Sequence, residues 1–190
     1  ALARALAKAS GRELVRIDMA ALTPGLLTGQ PVLHGMGGNA GILVRRIARA
    51  GKPCVVLLDE IDKAAEPVMN QLLELFENDH LFDDAFVGRV DLRQHLFLLS
   101  GNSLQIVRPL LDRCQVVEMQ PYTPAEKAAL LQRKWRACLQ EENLPWQPLA
   151  PDLVRQVVAQ CASGGVRDVE NAVERLLRQA AAGRPLPRTE

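Results

Sequence analysis

Asp59 and Glu60 stand side by side directly after Cys54-Val55-Val56-Leu57-Leu58, an unbroken apolar run. A run of that length without alternation predicts a parallel strand covered on both faces. Acids that close it emerge at the strand's carboxyl edge, where open α/β sheets bind ligands. Two carboxylates there suit a magnesium nucleotide site: one can hold the metal's water shell, and the other can orient and polarise an attacking water. The same pair also suits a plainer role, as solvated acids in a loop at a strand end. Asn102 follows a second apolar strand, His95-Leu96-Phe97-Leu98-Leu99-Ser100. A carboxamide both donates and accepts, so it can hold a water or a phosphate oxygen; an asparagine after a strand is equally an ordinary turn residue.

Two arginines complete the set. Arg113 follows a short helix predicted over residues 107–112, and alone it reads equally as a surface salt-bridge residue of small energetic value. Arg167 follows Gly164-Gly165 at the start of the last predicted helix. A helix N-terminus already favours anions, and a guanidinium beside it adds a forked donor. Without an anion, that arginine sits slightly unfavourably on the helix dipole. His34, His80 and His95 have no second histidine or cysteine at ligand spacing, which points to structural or solvated roles. Cys54, Cys114, Cys138 and Cys161 form no C-x-x-C pair, which argues against a zinc site or a disulfide framework and suits a reducing cytoplasm.

The elements that must position these residues alternate at first. A helix over residues 2–10 ends at Gly11, and a strand follows over 14–19. Residues 22–40 hold five glycines and two prolines and read as a mobile loop. A helix is predicted over 43–50, the acid-tipped strand over 54–58, a helix over 67–77, a hairpin within 85–92, the strand 95–100 and a further strand over 115–119. After Pro121 only helices are predicted, over about 124–142, 151–162 and 166–182. Thr123-Pro124-Ala125-Glu126 reads as a capping box with proline at the first helical position. The division is therefore an α/β unit over 1–120, a small all-helical unit over 121–183 and a linker-like tail over 184–190. With 48% hydrophobic residues and a net charge of +1, the chain can build a core and lacks the basic footprint of a nucleic-acid binder. No apolar run approaches the roughly 20 residues needed to span a bilayer.

Longer strings carry a resemblance. Val55-Val56-Leu57-Leu58-Asp59-Glu60-Ile61-Asp62-Lys63 matches a Walker B pattern, and Phe97 to Ser103 resembles a sensor 1 strand. Pro109-Leu110-Leu111-Asp112-Arg113 resembles a segment that carries an arginine finger. Tyr122 to Lys127 and Gly165 to Glu170 resemble a Y-T-x-x-E-K helix start and a sensor 2 helix. In this order, and over nearly the whole chain, they resemble the AAA+ ATPase module of Lon-type ATP-dependent proteases.

The resemblance implies an αβα three-layer subdomain with a parallel sheet, followed by an all-α lid. It implies ATP and Mg2+ as cofactors, identical neighbours in a ring (a hexamer in the parent protein), a protein substrate, and neither nucleic acid nor membrane as partner. Asp59 would bind nucleotide through water-held magnesium. Glu60 would act on the attacking water and Asn102 on the water or the γ-phosphate. Arg113 would reach a neighbour's ATP, and Arg167 would read the γ-phosphate in its own subunit. An ATP-gated regulatory or assembly module, without threading, is the alternative.

The chain also departs from the family. It contains no G-x-x-x-x-G-K-[ST] phosphate loop. The strand that would precede that loop is expected to lie centrally in such sheets, so its absence predicts unpaired strand edges and an incomplete subdomain. The 190 residues alone are expected to be inactive and monomeric or weakly self-associated. The axial substrate loop aligns with Leu33, His34 and Met36, where the family carries an aromatic; no aromatic occurs between Leu14 and Leu75. No serine–lysine protease unit is expected within this chain.

Overall fold

The computed structural model describes residues 2–29, 39–78, 80–83, 88–161 and 165–182. It divides into two compact units, Ala1–Val117 and Glu118–Glu190. In the first unit, β1 (Glu13–Asp18), β2 (Cys54–Asp59) and β5 (Leu96–Leu99) form a parallel sheet in the order β1-β2-β5. The central strand is the unbroken apolar run, and Cys54, Val55, Val56 and Leu58 are fully buried. β1 instead alternates, with Val15 and Ile17 buried and Glu13, Arg16 and Asp18 exposed, as suits an edge strand with one wet face.

Helices α3 (Ile42–Ala50) and α4 (Glu66–Asn78) bury Leu43, Val44, Ile47, Val68, Leu72 and Leu75 in one cluster with Val15, Ile17, Val56 and Leu58. Each fully buried leucine of this kind stabilises the fold by ~1.5–3 kcal/mol. Helix α1 (Leu2–Ala9) packs on β1 and β2, with its buried Ala3 and Ala7 outside that cluster. Both faces of the sheet are therefore covered by helix, as the sequence predicts for an αβα arrangement.

Three expectations need correction. The stretch read wholly as loop contains a one-turn helix, α2 (Pro24–Thr28). Pro24 at its first position fixes a helical φ, and Leu27 is fully buried. The hairpin begins earlier than read: β3 (His80–Asp83) pairs antiparallel with β4 (Gly88–Asp91), His80 opposite Asp91. The run 115–119 is not a strand. Val116, Val117 and Met119 are 54%, 68% and 69% exposed, and these residues make no backbone hydrogen bond among the described residues. An apolar run becomes a strand only where it finds an edge to pair with. The far edge of β5 is itself unpaired among the described residues. The axial-loop candidates Leu33, His34 and Met36, together with the tail 184–190, lie outside the described residues.

The second unit comprises α6 (Pro124–Glu141), α7 (Pro151–Gln160) and α8 (Val166–Ala181). Leu131, Trp135, Leu153, Val157, Val169 and Val173 form its core, and the Trp135 Nε1–H donates to the Gln147 carbonyl at 2.7 Å. The predicted capping box is present. The Glu126 N–H donates to Thr123 Oγ1 at 3.2 Å, and the Thr123 N–H donates to Glu126 Oε2 at 2.8 Å. No helix among the described residues is long and apolar enough to cross a membrane.

Two outcomes follow for thermal unfolding. A Cβ at Gly41, the N-cap of α3, would overlap the Leu27 carbonyl oxygen, so Gly41→Ala should cost on the order of 3 kcal/mol. Thr123→Ala should cost about 1 kcal/mol of the helical unit's stability. Hydrogen bonds from Thr123 hold Glu126 below the usual carboxylate range. A lowered pKa stabilises at neutral pH, and that contribution fades as acid protonates Glu126. The gap between wild type and Thr123→Ala should therefore narrow in acid.

Candidate functional site

The carboxyl ends of the three parallel strands are knitted together by backbone bonds beyond the sheet itself. The Met19 N–H donates to the Asp59 carbonyl at 2.9 Å, the Ser100 N–H to the Leu58 carbonyl at 3.0 Å, and the Ile61 N–H to the Ser100 carbonyl at 2.9 Å. Asp59, at the tip of β2, is consequently flanked by side chains from both neighbouring strands. The Ser100 hydroxyl donates to its Oδ1. Arg16, on β1, donates from Nε at 2.8 Å and approaches from a terminal nitrogen at 2.5 Å, both to Oδ2. The Ser100 bond chiefly, with Arg16 assisting and burial opposing, holds Asp59 below the usual carboxylate range. Asp59 is thus an anion, and its side chain remains 23% exposed.

Glu60 has φ 58° and ψ 45°. A left-handed backbone at a residue with a Cβ costs roughly 1–2 kcal/mol, and such outliers gather at functional sites. The turn sends the chain from β2 directly into a 3-10 turn, Ile61–Lys63. Lys63 Nζ donates to Glu60 Oε2 at 2.8 Å, an exposed pair that raises the lysine pKa. Asn102 stands in the exposed turn after β5, and its backbone N–H donates to Asp62 Oδ2 at 3.2 Å. Its carboxamide makes no hydrogen bond among the described residues.

The first unit therefore brings Asp59, Glu60 and Asn102 to one edge of one sheet. Arg113, after helix α5 (Arg108–Leu111), donates to the Pro109 carbonyl at 2.9 Å and pairs with Glu77 of α4 in its own chain. Arg167 belongs to the second unit, in the first turn of α8. It is exposed and has no ion-pair partner among the described residues. The N-cap of α8, Gly165, offers no side chain to the first-turn N–H groups, so among the described residues no cap closes that helix end to an anion. His95 holds a structural contact: its Nδ1 accepts from the Cys54 N–H at 3.2 Å and lies 3.1 Å from the Cys54 thiol, and burial lowers its pKa.

Sequence reasoning missed the partners of these residues. Arg16 carried one signal, a charge between two buried residues of a strand, Val15 and Ile17. Ser100, Asp62 and Lys63 lay inside quoted strings without a role, and Glu77 gave no signal. The donor set fits magnesium in part. An ionised, half-open carboxylate beside a hydroxyl suits a hard cation that keeps its waters, but Arg16 occupies one of the two oxygens.

Comparison with known proteins gives the chain's family. Residues 1–120 match the family described as AAA domain (Cdc48 subfamily). The chain is 32% identical over 202 residues to a Lon protease of Frankia alni, covering 95% of this chain and 22% of that protein. It is 31% identical over 198 residues to Lon protease homolog 2, peroxisomal, of Spinacia oleracea, with 95% and 22% covered. It is 30% identical over 206 residues to Lon protease 1 of Herpetosiphon aurantiacus, with 95% and 24% covered. The chain thus spans about a quarter of the length of the curated relatives it matches. A parallel sheet with an acid-tipped central strand and a match over 120 of the 190 residues place it plainly: the chain belongs to the AAA domain family, Cdc48 subfamily, as an AAA+ module similar to the one within Lon proteases.

Proposed function

We propose that the chain is the ATP-binding and ATP-hydrolysing motor module of a Lon-like ATP-dependent protease or unfoldase, acting in the cytoplasm. The observation that carries this reading is the gathering of Asp59, Glu60 and Asn102 at the carboxyl edge of the parallel sheet, with Asp59 ionised and Asn102 left with an unengaged carboxamide. Magnesium, when bound with ATP, would neutralise charge on the phosphate oxygens, and Asp59 would hold it through water.

Glu60 would orient and polarise the attacking water. It must first leave Lys63, and an exposed pair of that kind is worth little, so release costs little. Asn102 would hydrogen-bond the same water or the γ-phosphate. Arg113 would exchange Glu77 for the ATP of a neighbouring subunit in a hexameric ring, where a guanidinium stabilises charge on the transferring group. Arg167, beside the open helix end of α8, would read the γ-phosphate within its own subunit. Leu33, His34 and Met36 would press on a protein substrate by burial alone. The absence of any aromatic between Leu14 and Leu75 favours a second reading, an ATP-gated assembly or regulatory module that threads nothing.

Glu60→Gln, made in the full protein that carries this module, should lower ATP turnover by roughly 10²–10⁴-fold, as expected for a lost general base. ATP binding should survive. Unchanged turnover would remove Glu60 from the mechanism. Calorimetric titration of these 190 residues alone should show neither micromolar ATP affinity nor turnover, because no G-x-x-x-x-G-K-[ST] loop is present to cradle the phosphates. Micromolar affinity with hydrolysis would overturn that expectation. ATP-driven unfolding of a tagged protein separates the two readings: a motor unfolds it, and an assembly module does not.

A further inference from the structure

Asp62 does something that neither its neighbours nor the family strings explain. It sits in the 3-10 turn directly after Glu60, half-buried, and reaches across to the end of a different strand. Its Oδ2 accepts the backbone N–H of Asn102 at 3.2 Å. Its Oδ1 is buried and finds no hydrogen-bond donor among the described residues. That oxygen lies against Gly101: a Cβ added there would come within 3.0 Å of Oδ1 and 3.3 Å of the carboxyl carbon. Gly101 has no need of unusual backbone angles, since its φ lies outside the left-handed range. A side chain there would crowd the carboxylate that rests on it, which would have to give by a few tenths of an ångström.

A buried carboxylate oxygen without a donor is unfavourable, and folds retain such groups where another constraint fixes them. Here the constraint is visible. The turn 101–103 is exposed and makes few bonds of its own, so one long-range hydrogen bond and one steric contact from the same side chain decide where it stands. We propose that Asp62 is a positioning residue. Its carboxylate hangs the Gly101–Asn102 turn from the strand-end turn that holds Glu60, and so fixes the Asn102 carboxamide relative to Asp59 and Glu60. The catalytic consequence rests on the role assigned above to Asn102; the mechanical one does not.

The test uses the full protein, with ATP turnover and hydrogen exchange of the Asn102 amide read on the same variants. Asp62→Ala should leave the KM for ATP near its wild-type value, lower kcat by about tenfold through misplacement of Asn102, and abolish protection of the Asn102 amide. Asp62→Asn keeps a carbonyl oxygen and should retain protection and most of kcat, which separates positioning from loss of fold. Gly101→Ala should lower kcat because its methyl group meets Oδ1. The double variant Asp62→Ala, Gly101→Ala should be no worse than Asp62→Ala alone, since the clash has gone.

Full amide protection and normal kcat in Asp62→Ala, or additive losses in the double variant, would overturn the proposal. Asn102→Ala keeps the two layers apart. If it turns over ATP normally, the role given to Asn102 fails. Amide protection in Asp62→Ala, and the coupling of Asp62 to Gly101 in thermal stability, still decide whether Asp62 holds the turn.

Discussion

The carboxylate of Asp59 ties three parallel strands together at one point, and the geometry of the site depends on that tie. β2 supplies the acid, β5 supplies the Ser100 hydroxyl immediately beyond its last residue, and β1 supplies the Arg16 guanidinium. A parallel sheet of three strands, with both outer edges unpaired among the described residues, has few ways to fix the relative height of its strand ends. Here each oxygen of a single side chain is claimed by a different neighbour. Both bonds are charge-assisted, which makes them stronger than neutral ones. The same arrangement sets a competition. A cation brought to Asp59 would find Oδ2 bonded to Arg16 and Oδ1 to Ser100, and would displace a donor or share the carboxylate with it. Arg16 is largely exposed, with 62% of its side chain accessible, so water can take over its hydrogen bonds if it leaves.

Glu60 shows the opposite economy. Its backbone lies in a region that disfavours residues with a Cβ, and glycine would adopt it more readily. The side chain kept there is one that water chemistry can use, and its one close partner among the described residues is an exposed lysine three residues on. Strain in the main chain beside a weakly held side chain describes a group kept in place by its strand and left free at its tip. Asn102 follows the same pattern: its backbone is anchored and its carboxamide is unengaged.

How much of this could be read from the letters depends on whether a signal was local. The central strand was legible because five apolar residues in a row have few other fates. α6 was legible because Thr123, Pro124 and Glu126 satisfy its first turn among themselves. α2 was hidden, because five glycines and two prolines outweighed a single Thr23-Pro24 start whose stabilising contact, the burial of Leu27, lies elsewhere in the fold. The run 115–119 was over-read, because composition reports that residues can form a strand and says nothing of whether an edge awaits them. At the site, Asp59, Glu60 and Asn102 were singled out by type and place, and the structure brings them to one edge of the sheet. Arg16, Ser100 and Asp62 were not, since each acts across more than 35 positions of sequence and no local pattern marks such a pairing.

The helical unit poses a different electrostatic problem, and one residue answers it. Lys127 lies in the first turn of α6, where a cation opposes the helix dipole, and it is only 5% exposed. A buried ammonium is tolerated only where acceptors replace its water. Its Nζ donates to the Cys161 carbonyl at 2.6 Å, at the carboxyl end of α7, where the carbonyls of the last turn point outward and the dipole favours positive charge. The unfavourable end of one helix is thereby offset by the favourable end of another. Lys134, also on α6, reaches Glu170 on α8 at 2.5 Å, so α6 holds both helices by lysines as well as by the Trp135 core. The chain leaves α7 at the residue Lys127 holds and enters α8 just before Arg167. The phosphate-reading role proposed for Arg167, at the tip of a helix, needs that helix set firmly on its neighbours, and here buried apolar contact and paired charge both do so.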